Sequence, residues 1–283
     1  MQALLRTVVV VVVYQVYAWA RDRHGAATAG ELELARHHAR QIERVQDWLH
    51  LMPERTLQAA VLPHEWVLRV LGGFYGTAHF AVTLGVLLLV MGRWPGRLVR
   101  EAAVLMVSTF IAVGVFGLYA VAPPRLMPPG SATVDTLETI GGVWSYDHGV
   151  LEHISDPFAA MPSLHLAWAT WCALIAWRLS ERSRRRVLWR VVGTAYPCLT
   201  LTAVVLTGTH WYLDAVAGTA LVLAVAGAQV GLERRGSAVP RRVLRPLLLD
   251  APPAPGGPAG GVPVPTVVLA TLRPRHDVRE RRR

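Results

Sequence analysis

Three ionisable side chains lie in or beside apolar stretches of the chain: His165, His210 and Asp214. An ionisable group inside a membrane-spanning segment is costly, so each of them is a candidate for function. His210 and Asp214 are four residues apart, and one helical turn would bring them onto the same face. A carboxylate bonded to one ring nitrogen would fix the tautomer of the imidazole and leave the other nitrogen as a nucleophile or base.

The sequence AMPSLH at residues 160–165 predicts the start of a helix. Proline suits a first helical turn because its missing N–H is not needed there. The free backbone N–H groups after Pro162, together with the helix dipole, would bind an anion such as phosphate, and Ser163 would add a hydroxyl donor. Taken alone, the pattern fits equally a helix start that carries a histidine at the membrane interface.

A third element is Arg125, which follows two prolines. The guanidinium fork of arginine matches phosphate oxygens, although a lone arginine at this place would more simply anchor the membrane interface. Together these groups suit phosphoryl transfer through a covalent phosphohistidine. His210 would attack phosphorus, Asp214 would orient it, and His165 would protonate the leaving oxygen. Arg125 and the helix-start N–H groups would hold the oxygens where charge develops, and neither a metal nor a cofactor is required.

Composition places these residues in a membrane protein rather than in a soluble domain. The chain is 53% hydrophobic and 17% charged, and its net charge is +10. The arginines form short clusters between apolar stretches and in the C-terminal tail, which indicates membrane topology and no nucleic-acid partner. Cys172 and Cys198 lie within apolar segments, and we expect both to be buried thiols.

The apolar stretches predict an all-α, polytopic bundle of six transmembrane helices, formed by residues 1–230. Each stretch is near the ~20 residues that cross a bilayer: 4–20, 66–91, 101–122, 161–177, 188–206 and 211–230. The first stretch also resembles a secretory signal peptide that ends in small residues, and both interpretations remain open. Residues 21–56 mix both charge signs and predict an interfacial amphipathic helix. Residues 231–283, rich in Pro, Gly and Arg, predict a disordered basic tail.

The arginine clusters also predict the orientation of the bundle. Basic loops follow the second and fourth expected spans, whereas the loops at 123–160 and 207–210 carry little positive charge. The positive-inside rule places the basic loops and the tail in the cytoplasm. The candidate active site then faces outward from a plasma membrane, with both termini cytoplasmic. Cleavage of the first segment would leave the new N-terminus outside.

Four short motifs within about residues 65–230 resemble the type 2 phosphatidic acid phosphatase superfamily. The motifs are Tyr75 with His79–Phe80, YAVAPPRL at 119–126, AAMPSLH at 159–165 and TGTHWYLDAVAG at 207–218. The chain looks most similar to the branch that includes inositol phosphorylceramide synthases. The resemblance implies a six-helix bundle, a phosphohistidine on the residue matching His210 and an acid role for the residue matching His165. We expect Tyr75 and His79 to help line the site, although His79 could equally be a satisfied core histidine.

The chain departs from the wider pattern of that superfamily at three positions. Leu118 stands at the place of a lysine, Leu126 stands at the place of the proline that follows the arginine, and Val204 stands at the place of a second arginine. Two phosphate contacts that the wider superfamily implies are therefore missing here.

The resulting hypothesis is an enzyme that acts on a lipid phosphate, pyrophosphate or phosphodiester. Water and an alcohol can both attack a phosphohistidine, and we favour hydrolysis over headgroup transfer of the inositolphosphotransferase type because the sequence contains no evident polar acceptor pocket. Two non-enzymatic alternatives remain. His79, His165 and His210 could be axial ligands of a haem in an electron carrier, or the intramembrane His and Asp residues could relay protons in a transporter.

Overall fold

The regular elements that a computed structural model describes, over residues 28–128, 133–140, 158–181 and 183–234, are helices. In chain order they are α1 (Ala29–Trp48), α2 (Pro53–Val61), α3 (Glu65–Arg93), α4 (Leu98–Leu118), α5 (Thr136–Thr139), α6 (Leu164–Ser180), α7 (Arg186–Leu206) and α8 (Tyr212–Arg234). Short 3₁₀ helices occupy Pro95–Arg97 and Pro124–Leu126. The all-α class is therefore confirmed for these ranges. The expected first span at 4–20 and the tail beyond residue 234 lie outside them.

Four helices are long and apolar enough to cross a membrane: Glu65–Arg93, Pro95–Leu118, Arg186–Leu206 and Tyr212–Glu233. They correspond to the spans expected at 66–91, 101–122, 188–206 and 211–230. Large apolar side chains on these helices are exposed at the protein surface, among them Leu84, Val107, Val191 and Leu223. Such side chains in a helix of this length are typical of a surface that faces lipid, and they indicate a membrane protein.

The helix expected at 101–122 ends at Leu118 because the next residues bond elsewhere. The N–H of Val121 donates to the carbonyl of Phe158 at 3.0 Å, and the N–H of Ala122 donates to the carbonyl of Ala35 at 3.1 Å. Val121 also forms an isolated parallel bridge with Ala159. This extended segment joins α1 to the chain that leads into α6.

The helix expected at 161–177 is α6, and it begins at Leu164 because Ser163 is its N-cap. Pro162 therefore precedes the helix and does not occupy its first turn. With 17 residues, α6 is shorter than the four candidate spans. It lies among α3, α4, α7 and α8, and its side chains Trp171 and Ile175 are almost fully buried. Its 17 residues are at the low end of the ~17–25 that cross a bilayer.

The amphipathic helix expected at 21–56 is a hairpin of two helices, α1 and α2. A capping box starts α1, since the Thr28 hydroxyl accepts from the N–H of Glu31 and the Glu31 carboxylate accepts from the N–H of Thr28. One stripe of α1 is buried, at the helical spacing that such a face requires: Ala35, Ala39, Ile42 and Gln46. This stripe packs on the segments that carry the candidate site, among them Val121, Ala122 and Trp211.

Two smaller predictions are corrected by the fold. Cys172 is buried in the core as expected, but Cys198 is exposed on α7 in the part of the chain that the structure describes. Residues 231–234 were expected in the tail, whereas α8 continues through them to Arg234. The side chain of Glu233 reaches back to Arg100 at 2.9 Å, and this ion pair helps to extend the helix.

Candidate active site

His165 and His210 meet at one end of the bundle. His165 is the second residue of α6, and His210 lies in the turn between α7 and α8. The Nε2 atom of His210 is 3.4 Å from the Nδ1 atom of His165. His210 is only 4% exposed, whereas His165 is half-buried. The structure therefore brings together the two histidines that the sequence singled out.

The tautomer of neutral His210 follows from its other ring nitrogen. The Nδ1 atom lies 2.9 Å from the backbone carbonyl oxygen of Ala160. A carbonyl oxygen can only accept, so Nδ1 must carry the hydrogen and Nε2 is left with its lone pair. A hydrogen bond between the two rings then has the Nδ1–H of His165 as its donor.

Asp214 lies behind His210, as the four-residue spacing predicted. Its Oδ2 atom is 3.6 Å from the Nδ1 atom of His210, which is ion-pair distance but longer than the bond to Ala160. Oδ2 also accepts the N–H of Trp211 at 2.8 Å and so caps the start of α8. Oδ1 is buried and has no hydrogen-bond partner among the described residues. A fully buried carboxylate next to an imidazole stabilises that ring most when the ring becomes cationic.

The turn that carries His210 is hydrogen-bonded to the last turn of α7. The carbonyl of Val204 accepts from the N–H of Thr209 at 3.1 Å and from the N–H of His210 at 3.3 Å. Gly208 has a φ of 69°, a conformation that favours glycine. The Val204 side chain is fully buried against Leu166 and Ala215, so an apolar contact occupies the position where the wider superfamily pattern implies an arginine.

Ser163 ties the start of α6 to α8. Its N–H donates to the carbonyl of Asp214 at 2.9 Å, and its hydroxyl accepts the N–H of Leu166 at 3.4 Å as an N-cap. The side chain is fully buried, and its hydroxyl caps the start of α6. Gly218 allows this close approach, since a Cβ atom at that position would collide with the backbone of Ser163.

Tyr75 and His79, which we expected to line the site, both contact His165. The ring of Tyr75 stacks on that of His165 with centroids 4.3 Å apart, and the ring of His79 lies at 4.2 Å. The Nδ1 atom of His79 is 3.2 Å from the carbonyl oxygen of Tyr75, one turn earlier on α3. His79 is thus satisfied by its own helix and touches the site at the same time.

Arg125 joins the site through its backbone. Its N–H donates to the carbonyl of Gly208 at 3.0 Å, two residues before His210. Its guanidinium forms a largely buried ion pair with Asp135, with Nη1 at 3.1 Å from Oδ2. The arginine expected to bind phosphate is therefore near the turn that carries His210, and it is held by a carboxylate that the sequence did not single out.

Comparison with known proteins decides the family. A model of the PAP2 superfamily, the type 2 phosphatidic acid phosphatases, matches residues 40–228. The chain belongs to the PAP2 superfamily. No curated protein and no solved structure matches it. PAP2 membership suggests a phosphatase or phosphotransferase of lipid phosphates. The expected superfamily is thus confirmed, and the closer similarity to inositol phosphorylceramide synthases stays a prediction.

The PAP2 match begins within α1, and the structure gives that hairpin a place in the site which the sequence did not reveal. Glu54 Oε1 accepts the N–H of Tyr212 at 2.6 Å, and Gln46 Oε1 accepts the N–H of Leu213 at 2.9 Å. Both side chains are fully buried. In the sequence they stand in a segment of mixed polarity, and nothing there separates them from its exposed polar residues.

An apolar groove of about 250 Å³ begins beside the candidate site residues of this PAP2 chain. Its floor is α6, which packs against both α7 and α8, while α7 and α8 scarcely touch each other. The lining residues are apolar except for two: Leu166, Leu201, Tyr212, Ala215, Val216, Thr219, Ala220 and Leu223. Leu166 follows His165 in sequence, and Ala215 follows Asp214. From Tyr212 to Leu223 the helix rises about 16 Å, so the groove extends well into the candidate span.

Proposed function

We propose that this protein is a membrane phosphatase that removes phosphate from a lipid through a phosphohistidine on His210. The carrying observation is the geometry of that ring. The carbonyl of Ala160 accepts a hydrogen bond from Nδ1–H of His210 at 2.9 Å, so the lone pair of Nε2 is directed at His165, 3.4 Å away. A nucleophile with a fixed tautomer beside a second proton-carrying group is the arrangement that covalent catalysis with acid assistance needs.

The reaction then has two steps. In the first, Nε2 of His210 forms a bond to phosphorus while the bond from phosphorus to the leaving oxygen breaks. His165 enters this step as the imidazolium, gives that oxygen a proton and becomes neutral. In the second, His165 takes a proton from water, the water oxygen attacks phosphorus, and His210 leaves. Phosphorus must enter between Nε2 and the leaving oxygen, so the two rings have to separate when substrate binds.

The surrounding charges support a cationic intermediate. The phosphorylated ring carries positive charge, and the buried carboxylate of Asp214 lies 3.6 Å from its Nδ1 atom. Arg125 is the proposed cation for the phosphate oxygens. It would exchange part of its contact with Asp135 for the substrate, since the fork of arginine has five N–H donors. Ser163 would contribute through the α6 start that it caps.

A lipid substrate is supported by the groove between α7 and α8. A phosphate bound at His210 would place the apolar part of the same molecule next to Ala215 and Val216, in a groove open to the membrane. The loops 123–160 and 207–210 at this end carry one arginine between them, and arginines of the neighbouring α1–α2 hairpin pair with the carboxylates of Glu33 and Glu43. The opposite end carries the basic clusters around Arg97 and Arg185. We therefore propose that the site faces outward from the plasma membrane.

Hydrolysis is favoured over headgroup transfer by the apolar surroundings of the histidine pair. The small space behind His165 is lined by Phe74, Ala203 and Val204, with Tyr75, His79 and Thr200 as its polar members. Water needs no acceptor site, whereas a polyol needs several hydrogen-bonding partners. The similarity to inositol phosphorylceramide synthases makes transfer to inositol the second candidate.

The deciding experiment assays purified protein in mixed micelles with phosphatidic acid and with a polyprenyl pyrophosphate, in EDTA, with and without inositol. We expect phosphate release that needs no metal and that inositol does not redirect. His210→Ala should abolish release, and wild-type protein quenched during turnover should carry acid-labile phosphate that the variant lacks. Activity that survives His210→Ala intact would sink the mechanism, and an inositol phosphate product would favour transfer. A visible absorption band, or ion flux without phosphate release, would favour the haem or transport hypothesis.

A further inference from the structure

The start of α8, immediately after His210, is held by side chains from a distant part of the chain. A helix leaves its first N–H groups without partners in the helix. Here the N–H of Trp211 donates to Asp214, that of Tyr212 to Glu54 and that of Leu213 to Gln46, at 2.8, 2.6 and 2.9 Å. The last two acceptors come from the α1–α2 hairpin, more than 150 residues earlier in the sequence.

Glu54 and Gln46 form one rigid unit. The Nε2 atom of Gln46 donates to Oε1 of Glu54 at 2.6 Å, and both side chains are 0% exposed. Since water does not reach them, their bonds to α8 meet little competition and fix the geometry more strongly than exposed bonds would. The carboxylate also lies at the positive end of the α8 dipole, which favours its charge there.

The same hairpin holds the other side of the His210 turn. Gln58 lies one turn after Glu54 on α2, and its Nε2 atom donates to the carbonyl of Leu206, the last residue of α7, at 3.2 Å. Gln58 also exchanges two hydrogen bonds with the backbone of Val134. One face of α2 therefore contacts the end of α7 and the start of α8, and His210 lies in the turn between them.

We propose that Glu54 is a positioning residue for catalysis, which with Gln46 and Gln58 sets the orientation of the His210 turn. The inference rests on the proposed function, since it concerns the geometry of the same nucleophile. Glu54 does not touch the reacting atoms. Its effect passes through the N–H of Tyr212 to the helix start, and from there to the angle at which Nε2 of His210 meets phosphorus.

The test compares Glu54→Ala with Glu54→Gln in full-length protein. An amide oxygen can still accept the N–H of Tyr212, so Glu54→Gln should keep kcat within about threefold, whereas Glu54→Ala should lower kcat by about 10- to 100-fold with little change in KM. Glu43→Ala is the matched control, because Glu43 is a carboxylate of the same hairpin that pairs with Arg55 at its surface. It should leave both constants unchanged.

Hydrogen exchange supplies a readout that does not depend on activity. The amides of residues 211–213 should exchange faster in Glu54→Ala than in wild type, and at the wild-type rate in Glu54→Gln and Glu43→Ala. Unchanged exchange in Glu54→Ala, or faster exchange with unchanged kcat, would overturn the inference. An equal loss of kcat in all three variants would show a general folding defect and would also overturn it. Wild-type protein without phosphatase activity would contradict the proposed function, while the exchange rates would still decide whether Glu54 holds the turn.

Discussion

The Nε2 atom of His210 faces the Nδ1 atom of His165 across 3.4 Å, and the carbonyl of Ala160 fixes which nitrogen of His210 is free. His165 lies in the first turn of α6, and His210 lies in the turn between α7 and α8. The pair therefore has distinct chemical environments: His210 is buried and tied to a carbonyl, while His165 is half-buried and lies between Tyr75 and His79. This asymmetry supports different roles for the two rings.

His165→Asn separates those roles by the leaving group. A poor leaving group such as a lipid alkoxide needs a proton in the transition state, whereas p-nitrophenolate leaves without one. We expect His165→Asn to lower kcat/KM for the lipid phosphate by about 10²- to 10⁴-fold and to affect p-nitrophenyl phosphate far less. His210→Asn should abolish both activities. An equal loss on the two substrates in His165→Asn would exclude the acid role.

Asp214→Asn tests the carboxylate separately from the helix cap. The amide oxygen of asparagine can still accept the N–H of Trp211, but it lacks the charge that faces Nδ1 of His210 at 3.6 Å. We expect Asp214→Asn to keep the thermal midpoint and to lower kcat by at least tenfold. Asp214→Ala should lower kcat similarly and also lose about 1 kcal/mol of stability with the cap. Full activity in Asp214→Asn would mean that Ala160 alone orients the histidine.

The placement of Asp214 beside His210 could be predicted from the sequence because it depends on a short-range pattern. The four-residue spacing placed Asp214 behind His210, and the apolar stretches located the four helices that could span a membrane. The distant contacts could not be predicted in this way. The bond from Glu54 to Tyr212 joins residues 158 positions apart, and the pairing of Arg125 with Asp135 depends on how a loop folds. α6 starts at Leu164 and not at Met161, because Ser163 is the N-cap and Pro162 precedes the helix.

Packing also gives Ser163 and Val204 contacts that the sequence did not show. Ser163 was predicted to donate a hydrogen bond from its hydroxyl to phosphate. In the structure that hydroxyl accepts a backbone N–H at the start of α6, a bond that leaves the O–H able to donate. Val204 stands where the wider family pattern implies an arginine, and its side chain is fully buried. Side-chain chemistry can be read from a sequence, but the partner that each polar atom finds is decided by the fold.

The ion pair between Glu101 on α4 and Arg178 on α6 should stabilise the opposite end of the bundle without affecting chemistry. The Glu101 side chain is 1% exposed, so its removal leaves Arg178 without its charge partner. We expect Glu101→Ala to destabilise the protein by about 3 kcal/mol, whereas an apolar replacement of both partners should cost less. Thermal unfolding in detergent measures both changes in stability. The kcat measured at a temperature well below the thermal midpoint should be the same as that of the wild type. If the variant with apolar residues at both Glu101 and Arg178 were as unstable as Glu101→Ala, this expectation would be contradicted.

Gly218→Ala should disturb catalysis through the contact between α6 and α8. The new Cβ would collide with the backbone of Ser163, which cannot rotate away as a side chain could. Moving the two helices apart should cost about 1–3 kcal/mol and separate His165 from His210, and we expect kcat to fall at least tenfold. Gly227→Ala is the matched control on the same helix, because no neighbouring element among the described residues comes within 4 Å of its Cβ position. That variant should keep full activity and gain about 0.5–1 kcal/mol from the better helix propensity of alanine. If Gly218→Ala behaved like Gly227→Ala in both assays, the close contact at Ser163 could not be what sets the distance between the two histidines.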